Sequence, residues 1–232
     1  MNVIFDMDDT LYDLMQPFQN VHKELYIDKT NIDCNELFIK SRIYSDKILE
    51  LEKKGFISSK DCFYLRIKKT YHDAGITISK KDAELFEVKY RYHQARISLP
   101  DIIVKILNLC RKNHILIAIL SNGRRQVQYR KILALGLNRW FSDDKIFISE
   151  DTGYLKPDIN AFKYIEKQLN IISAETWYIG DTYETDIIGA YNAGWKTVWF
   201  NHRQRLCPEP TSLADKEVKS SADLLSAVEK LI

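Results

Sequence analysis

The amino-acid sequence predicts an α/β protein, in which a doubly wound parallel sheet carries a helical domain inserted after its first strand. One observation is that, after Pro100, short apolar runs alternate with helical patterns of about ten residues, which is typical of parallel sheets. A second is that residues 14–98 show helical spacing without any β-like run. A chain of 232 residues, of which 45% are hydrophobic, has room for both parts. We therefore expect a sheet domain of residues 1–13 and 99–232 and a helical domain of residues 14–98.

The first predicted strand is the apolar run Val-Ile-Phe at residues 3–5, and it leads directly into acidic residues. Asp6, Asp8 and Asp9 are three carboxylates within four residues, followed by Thr10. These carboxylates would repel one another at the end of a buried strand, and a hard cation such as Mg²⁺ would relieve the repulsion. An acidic loop that caps the next helix is the alternative from this stretch alone.

The helical domain is predicted from capping sequences and apolar stripes. Ser58 and Ser79 each begin a Ser-x-x-Asp sequence that resembles a capping box, followed by apolar residues at helical spacing. A further stripe begins at Leu37 and ends near Gly55. Four residues of this domain could contact a ligand, but a solvated helix face is the favoured explanation for each of them, and none is placed in the site. They are Arg42, Arg66, Arg91 and Tyr92.

After Pro100 the predicted elements alternate in order along the chain. The predicted helices lie near residues 103–110, 126–136, 162–169, 185–193 and 220–231. The predicted strands are residues 115–120, 145–148, 176–179 and 197–200. The first of these strands is apolar throughout, as expected for a strand buried on both faces. Residues 201–217, with two prolines, predict a surface loop.

Polar residues follow every predicted strand except the last. In a parallel sheet these positions meet at the carboxyl edge, where ligands bind. The residues are Asp6, Asp8 and Thr10 after the first strand, Ser121 and Asn122 after the second, Lys156 after the third, and Asp181 and Asp186 after the fourth. The acids suit a metal ion, whereas the hydroxyl, the loop amides and the lysine suit a phosphate group.

Each motif also has a simpler structural explanation when it is taken alone. Ser121-Asn122-Gly123 is a common turn sequence, and Lys156 before a proline is commonly a solvated lysine. Asp181 could cap a helix, and Asp186 could favour its first turn. Four such explanations would have to coincide at one edge of one sheet, which favours a functional site.

The four motifs, in this order, resemble those of the haloacid-dehalogenase superfamily of phosphohydrolases, and the resemblance covers nearly the whole chain. The helical segment 14–98 then resembles the cap domain of that superfamily. Residue by residue, Asp6-Met-Asp8-Asp-Thr10 is similar to the nucleophile motif, Ser121 to the second-motif hydroxyl, Lys156 to the third-motif lysine, and Asp181 with Asp186 to the metal-binding acid motif.

Details within the superfamily indicate a phosphatase. Haloacid dehalogenases lack the acid found here at Asp8, and transport ATPases carry a lysine where this chain has Met7. Residues 121–126 and 180–187 resemble the branch of pyrimidine nucleotidases and N-acylneuraminate-9-phosphatase. A phosphomutase is the alternative enzyme. A non-catalytic regulatory relative is another alternative, although it would be expected to lack Asp6, Asp8 or Lys156.

The resemblance implies a division of labour among these residues. Asp6 would be the nucleophile, and Asp8 the general acid and base, with a pKa raised toward neutrality. Mg²⁺ would be held by Asp6, the backbone carbonyl of Asp8 and Asp181. Ser121, the amide of Asn122 and Lys156 would bind the phosphate, with Thr10 and Asp186 in supporting positions.

Composition narrows the choice of partners. The net charge of +2 and the lack of a basic stripe argue against nucleic acid. The four cysteines show no Cys-x-x-Cys spacing, which favours a reducing compartment. A strand beginning at residue 3 leaves no room for a signal peptide, and no apolar run is long enough to span a membrane. We therefore expect a cytoplasmic protein whose partner is a small phosphorylated substrate.

Overall fold

In the computed structural model of the chain, which describes residues 1–27 and 32–232, the protein divides into two compact units. One unit, here called the sheet unit, comprises Met1–Asp13 and Ser98–Ile232. The other, the helical unit, comprises Leu14–Ile97. Residues 28–31, which belong to the predicted helical segment, lie outside the described residues.

The sheet unit is built on six parallel strands in the spatial order β3-β2-β1-β4-β5-β6, which confirms the predicted fold class. The strands are β1 (Asn2–Phe5), β2 (Leu116–Ser121), β3 (Ile146–Ile148), β4 (Thr176–Gly180), β5 (Lys196–Phe200) and β6 (Lys216–Val218). Phe5 pairs with Ile119 on one side and with Ile179 on the other. The strand order reverses between β1 and β4, and in such sheets ligands bind beyond the carboxyl ends of the two strands at this point.

Residues 201–217 are not wholly a loop, as the sequence had predicted, because β6 begins at Lys216. Val198, Trp199 and Phe200 of β5 pair with β6, which extends the sheet by one short edge strand. A three-residue strand carries too little periodicity to be recognised from sequence.

The helical unit consists of α1 (Gln16–Leu25), α2 (Cys34–Lys53), α3 (Ser59–His72) and α4 (Lys80–Gln94). Its core is aromatic: the rings of Phe18, Tyr71 and Phe86 lie within 5.5–6.3 Å of one another. The predicted capping box is complete at Ser79. At Ser58 it is not, because this hydroxyl donates to the Asp61 carboxylate at 2.6 Å instead of capping α3.

The remaining helices cover the sheet and close its core. They are α5 (Asp101–Lys112), α6 (Arg125–Leu135), α7 (Ser149–Thr152), α8 (Ile159–Leu169), α9 (Ile188–Asn192) and α10 (Ser221–Glu229). The predicted helix 185–193 is interrupted, since Tyr183–Ile187 forms a π-helical turn before α9. Phe162 of α8 packs edge-on against Trp195 with the ring centroids 5.3 Å apart. Among the described residues, no helix is both long and apolar enough to cross a membrane.

Candidate active site

The predicted site residues that follow β1 and β4 lie side by side at the point where the strand order reverses. The backbone amide of Asp6 donates to the carbonyl of Ile179 at 2.9 Å, which extends the pairing of the two strands by one residue. The carboxylate of Asp6 therefore stands beside the loop that carries Asp181 and Asp186. This is the position in an open α/β sheet where a ligand can approach the strand ends.

Lys156 joins three polar groups in the interior of the sheet unit. Its Nζ donates to Asp6 Oδ1 at 2.7 Å, to Asp186 Oδ1 at 2.6 Å and to the hydroxyl of Tyr178 at 2.8 Å. All four side chains are buried. A single lysine thus faces two buried carboxylates, so the cluster contains more negative than positive charge. Tyr178 was not predicted as a site residue, because it lies within a strand whose residues read as core.

Asp186 owes its place to the glycine at the end of β4. A Cβ atom built on Gly180 would lie 2.4 Å from Asp186 Oδ2, so any larger residue would displace the carboxylate. The same oxygen accepts a hydrogen bond from the backbone amide of Thr182 at 3.0 Å. Asp186 therefore orients Lys156 and is itself oriented by the turn after β4.

The loop after β2 supports the lysine from the other side. Asn122 accepts from the backbone amide of Lys156 and donates to its carbonyl, both at 2.9 Å. Ser121 is buried, and its Oγ accepts a hydrogen bond from Gln128 Nε2 at 2.6 Å. Thr10 is also buried, and its hydroxyl has no hydrogen-bond partner in the described structure. The predicted phosphate-binding residues are thus connected. Ser121 and Asn122 are neighbours in the chain, and the Asn122 side chain bonds to the backbone of Lys156.

Three carboxylates at this edge have the composition of a site for a hard cation. Oxygen atoms of Asp6, Asp181 and Asp186 all lie within 4.8 Å of one another. Burial raises the pKa of Asp6 to about 7, although the charge of Lys156 acts in the opposite direction. Burial and the neighbouring carboxylates also raise the pKa of Asp181 well above its ordinary value. Both pKa values are raised because burial and neighbouring carboxylates disfavour the ionised form. Mg²⁺, which prefers oxygen ligands, would offset this repulsion.

Asp8 lies in a different environment from Asp6. Lys131 Nζ contacts both oxygens of the Asp8 carboxylate, at 2.8 Å and 2.6 Å. Gln128 Nε2 donates to Oδ2 at 3.1 Å, and the hydroxyl of Tyr12 donates to Oδ1 at 2.5 Å. The carboxylate of Asp8 is therefore fixed by three donors.

The prediction that the pKa of Asp8 is raised is wrong. Burial acts in that direction, but the charge and hydrogen bond of Lys131 outweigh it and lower the pKa below its ordinary value of 3.8. The sequence did offer a signal for Lys131. Gln128 and Lys131 are spaced with the buried residues Ile132 and Leu135 along one face of α6, so both belong to its inward side.

The last long strand also delivers polar residues to the carboxyl edge, contrary to the sequence prediction. Beyond β5, Arg203 donates to Asp9 Oδ2 at 2.5 Å and Oδ1 at 2.6 Å, and His202 Nε2 lies 2.9 Å from the Asp9 carbonyl oxygen. Arg205 Nη2 approaches Asp181 Oδ2 at 3.4 Å. Asp9 has a left-handed backbone with φ of 65°, and its buried carboxylate turns toward this loop. Asp9 therefore anchors the loop after β5, and Arg205 of this loop lies near both Asp9 and Asp181.

Fold and site together define an α/β protein of the Rossmann-like class with a buried aspartate–lysine centre at the strand-order reversal. A family model described as haloacid dehalogenase-like hydrolase matches residues 1–194. The chain belongs to this family, as the four sequence motifs had predicted.

Several relatives share extended regions with the chain. Pyrimidine 5'-nucleotidase YjjG of Escherichia coli (strain K12) is 37% identical over 107 residues, which is 46% of each chain. Glyceraldehyde 3-phosphate phosphatase of Methanocaldococcus jannaschii is 24% identical over 241 residues, covering 99% of this chain and 97% of the relative. The chain spans only part of four of the curated relatives that it matches, YjjG among them. The matched region covers between 35% and 52% of their own length.

A solved structure shows the same fold over its full length. The structure of the HAD-hydrolase YfnB from Bacillus subtilis, bound to magnesium, is 25% identical to this chain with a TM-score of 0.70. It covers 98% of this chain and 97% of YfnB. The nucleotidase among the sequence relatives agrees with the branch indicated by residues 121–126 and 180–187.

Proposed function

We propose that this chain is a phosphatase that hydrolyses small phosphate monoesters with Mg²⁺, through an acyl phosphate formed on Asp6. The observation that carries the proposal is the position of Asp6, which directly follows β1. Its carboxylate contacts Lys156 at 2.7 Å and lies within 4.8 Å of the carboxylates of Asp181 and Asp186. A nucleophilic carboxylate, a buried lysine and two further acids supply the parts that phosphoryl transfer requires.

In the first step a carboxylate oxygen of Asp6 attacks the phosphorus atom of the monoester. The bond between phosphorus and the leaving oxygen breaks as the Asp6–phosphorus bond forms, and the leaving oxygen takes a proton from Asp8. Lys156 keeps Asp6 oriented through Oδ1, which leaves Oδ2 to attack. Ser121, the amide of Asn122 and Lys156 bind the phosphoryl oxygens as charge spreads over them.

In the second step a water molecule attacks the phosphorus of the Asp6 acyl phosphate. Asp8 takes the proton of that water, the Asp6–phosphorus bond breaks, and inorganic phosphate leaves. Lys131 stabilises the ionised form of Asp8, which suits this step directly. The same contact opposes protonation of Asp8, so we propose that protonation of the leaving oxygen is the more demanding of the two proton transfers.

Asp6 and Asp181, with the backbone carbonyl of Asp8, would hold Mg²⁺, and Asp186 would support it from beside Lys156. When bound, the ion supplies positive charge that keeps Asp6 ionised and offsets charge on the phosphoryl oxygens. The raised pKa of Asp6 and Asp181 supports this assignment, because both acids lack enough compensating charge from the protein itself.

The helical domain of residues 14–98 is proposed to serve as a cap that excludes bulk water during turnover and contacts the leaving group. We further propose a cytoplasmic location. No disulfide joins any of the four cysteines that the structure describes, which supports a reducing compartment.

A phosphate-release assay tests the proposal. Wild-type protein with Mg²⁺ should release phosphate from p-nitrophenyl phosphate, and Asp6→Asn should release none. A panel of pyrimidine nucleoside monophosphates, triose phosphates and sugar phosphates would then rank the substrates, since the relatives are named for substrates of the first two kinds. Isomerised sugar phosphate without free phosphate would indicate a phosphomutase instead. No reaction with any member of the panel, in protein that binds Mg²⁺, would contradict the proposal.

A further inference from the structure

Tyr178 places a hydroxyl group within the core of the sheet unit. It lies on β4, and its ring contacts those of Phe162 and Trp195, with centroid distances of 5.5 Å and 6.3 Å. The side chain is fully buried. A buried hydroxyl is costly unless it is hydrogen-bonded, and a phenylalanine would make the same ring contacts without that cost. The packing of the ring therefore does not explain why a tyrosine stands here.

The hydroxyl of Tyr178 forms two hydrogen bonds of opposite direction. It accepts from Lys156 Nζ at 2.8 Å and donates to the carbonyl oxygen of Leu120 at 3.1 Å. Asp186 Oδ1 is farther from the phenol oxygen, at 3.5 Å. Because a phenol has a single proton, the bond to Leu120 leaves a lone pair for Lys156. Tyr178 is thus fixed as an acceptor for the lysine.

Lys156 uses all of its hydrogen-bond donors in this buried cluster. An ammonium has three N–H groups, and the three acceptors are Asp6 at 2.7 Å, Asp186 at 2.6 Å and Tyr178. The two carboxylates attract the charge, but a four-carbon side chain with three rotatable donors does not by itself fix the direction of each N–H group. Three acceptors, one for each N–H group, determine the orientation of the ammonium.

The proposed reaction would change one of these three acceptors. Asp6 loses its negative charge when it forms the acyl phosphate, and its bond to Lys156 can then pass to a phosphoryl oxygen. Asp186 and Tyr178 form no covalent bond in either step. With Asp186 alone, the ammonium could turn about a single hydrogen bond. Asp186 and Tyr178 together hold it while the charge on Asp6 changes.

We infer that Tyr178 is a positioning residue, which holds the ammonium of Lys156 so that one N–H group stays directed at Asp6 and its phosphoryl group. The inference rests on the proposed function, and Tyr178 acts through Lys156 without contacting the substrate. Tyr178→Phe removes only the hydroxyl. It leaves the ring in place and deprives one N–H group of Lys156 of its acceptor.

The first experiment measures the ammonium of Lys156 directly and needs no turnover. In full-length protein labelled with ¹⁵N, the side-chain signal of Lys156 is assigned by its loss in Lys156→Met. Exchange of its protons with water should be slow in wild type, because the group is buried with three acceptors. In Tyr178→Phe the exchange should be at least about tenfold faster. If this variant fails to fold, the pair is compared in Asp6→Asn protein, which carries one buried negative charge fewer.

A matched control is available in Tyr71 of the helical unit. This tyrosine is also fully buried, and its hydroxyl lies 2.9 Å from His22 Nδ1 instead of contacting a lysine. Tyr71→Phe therefore removes a buried hydrogen bond of the same kind of side chain and should lower stability comparably. It should leave the exchange of the Lys156 ammonium and kcat per folded molecule unchanged.

The second experiment measures the effect on catalysis. Tyr178→Phe should lower kcat for p-nitrophenyl phosphate about 10–100-fold per folded molecule, with KM changed less than about threefold, as expected when a catalytic group is misplaced in a folded site. A merely structural role would reduce the amount of folded protein and leave kcat per folded molecule unchanged. In folded Tyr178→Phe, either an unchanged exchange rate or an unchanged kcat overturns the inference. Absence of turnover in wild type, with the exchange difference intact, would contradict the phosphatase proposal alone.

Discussion

Lys131 clasps the carboxylate of Asp8 through both oxygens, at 2.8 Å and 2.6 Å, and its Nζ also donates to Gln128 Oε1 at 2.7 Å. Gln128 in turn donates to Ser121 Oγ at 2.6 Å. A continuous chain of hydrogen bonds therefore connects the proposed acid–base residue with the proposed phosphate-binding hydroxyl. Asp6, two residues earlier, is bonded to a different lysine. The protein thus separates two nearby carboxylates by giving each its own cation.

Replacing Lys131 with methionine should destabilise the protein at neutral pH and raise the pKa of Asp8. The variant leaves a largely buried carboxylate without its cation, and we expect a loss of about 1–3 kcal/mol in the free energy of unfolding at pH 7. Because Asp8 has a lowered pKa when folded, its contribution is present above 3.8 and is lost as pH falls through the folded value. Urea unfolding at pH 7 and pH 3 should show the difference shrink at the lower pH.

Two comparisons make the Lys131 test specific. Lys131→Arg keeps the charge and should retain most of the stability, whereas Lys105→Met removes an exposed lysine of α5 and should have little effect. An equal loss for Lys131→Met at both pH values would show that packing, and not the ion pair, accounts for it.

Asp6→Asn should stabilise the metal-free protein at alkaline pH. The pKa of Asp6 is about 7 when folded, against an ordinary value of 3.8, so the folded state keeps a proton that the unfolded state has lost. Wild-type stability should therefore fall as pH rises from about 4 to about 7, and stay lower above that range. At pH 8 in EDTA we expect Asp6→Asn to exceed wild type by on the order of 1–3 kcal/mol. Asp143→Asn, an exposed position, should match wild type throughout. Equal stability of Asp6→Asn and wild type at pH 8 would contradict the raised pKa.

Sequence could predict the site residues whose positions are determined by the ends of strands. Asp6 and Asp181 follow apolar strands directly, so the parallel sheet decides where they lie. Lys131 could have been found from its spacing with Ile132 and Leu135 on the inward face of α6, but a single lysine in a helix was interpreted as solvated. The loop that carries Arg203 was missed for another reason: its position is set by a long-range ion pair with Asp9, which leaves no periodic pattern in the sequence.

Asp181→Asn should weaken Mg²⁺ binding while leaving the fold intact. Its carboxylate is buried among other acids, so loss of one negative charge lowers repulsion in the metal-free protein and also lowers attraction for the cation. We expect the Mg²⁺ concentration for half-maximal activity to rise at least about tenfold, with unfolding in EDTA no less favourable than for wild type. Ca²⁺ should inhibit, because its looser coordination can draw both oxygens of Asp6 onto the ion. Full wild-type activity in excess EDTA would rule out the metal requirement.

Gly180→Ala should damage both activity and stability. The new methyl group would lie 2.4 Å from Oδ2 and 2.6 Å from Cβ of Asp186, so both this carboxylate and the turn that carries it must move away from Lys156. We expect a loss of at least about tenfold in kcat, since Lys156 loses one of the two acids that orient it. Gly153→Ala is the control: its φ of 78° makes alanine strained there, but no atom lies within 4 Å of the new methyl group. It should lower the melting temperature and leave kcat per folded molecule unchanged.

Variants of the two acids of the first motif should respond differently to the pKa of the leaving group. Asp6→Asn should be inactive on every substrate, because the amide is a poor nucleophile and cannot form the acyl phosphate. Asp8→Asn should lose about 10²–10⁴-fold on alkyl phosphates, whose leaving alkoxide needs a proton.

Part of the Asp8→Asn activity should return with p-nitrophenyl phosphate, whose acidic leaving group departs without a proton. The recovery should be incomplete, since the water that hydrolyses the Asp6 acyl phosphate still lacks its base. A plot of log kcat/KM against leaving-group pKa should therefore be steeper for Asp8→Asn than for wild type. Beryllium fluoride, which mimics an aspartyl phosphate, should bind wild type and fail to bind Asp6→Asn. Turnover of p-nitrophenyl phosphate by Asp6→Asn at a rate near that of wild type would exclude the covalent mechanism, because that mechanism requires the carboxylate of Asp6 as the nucleophile.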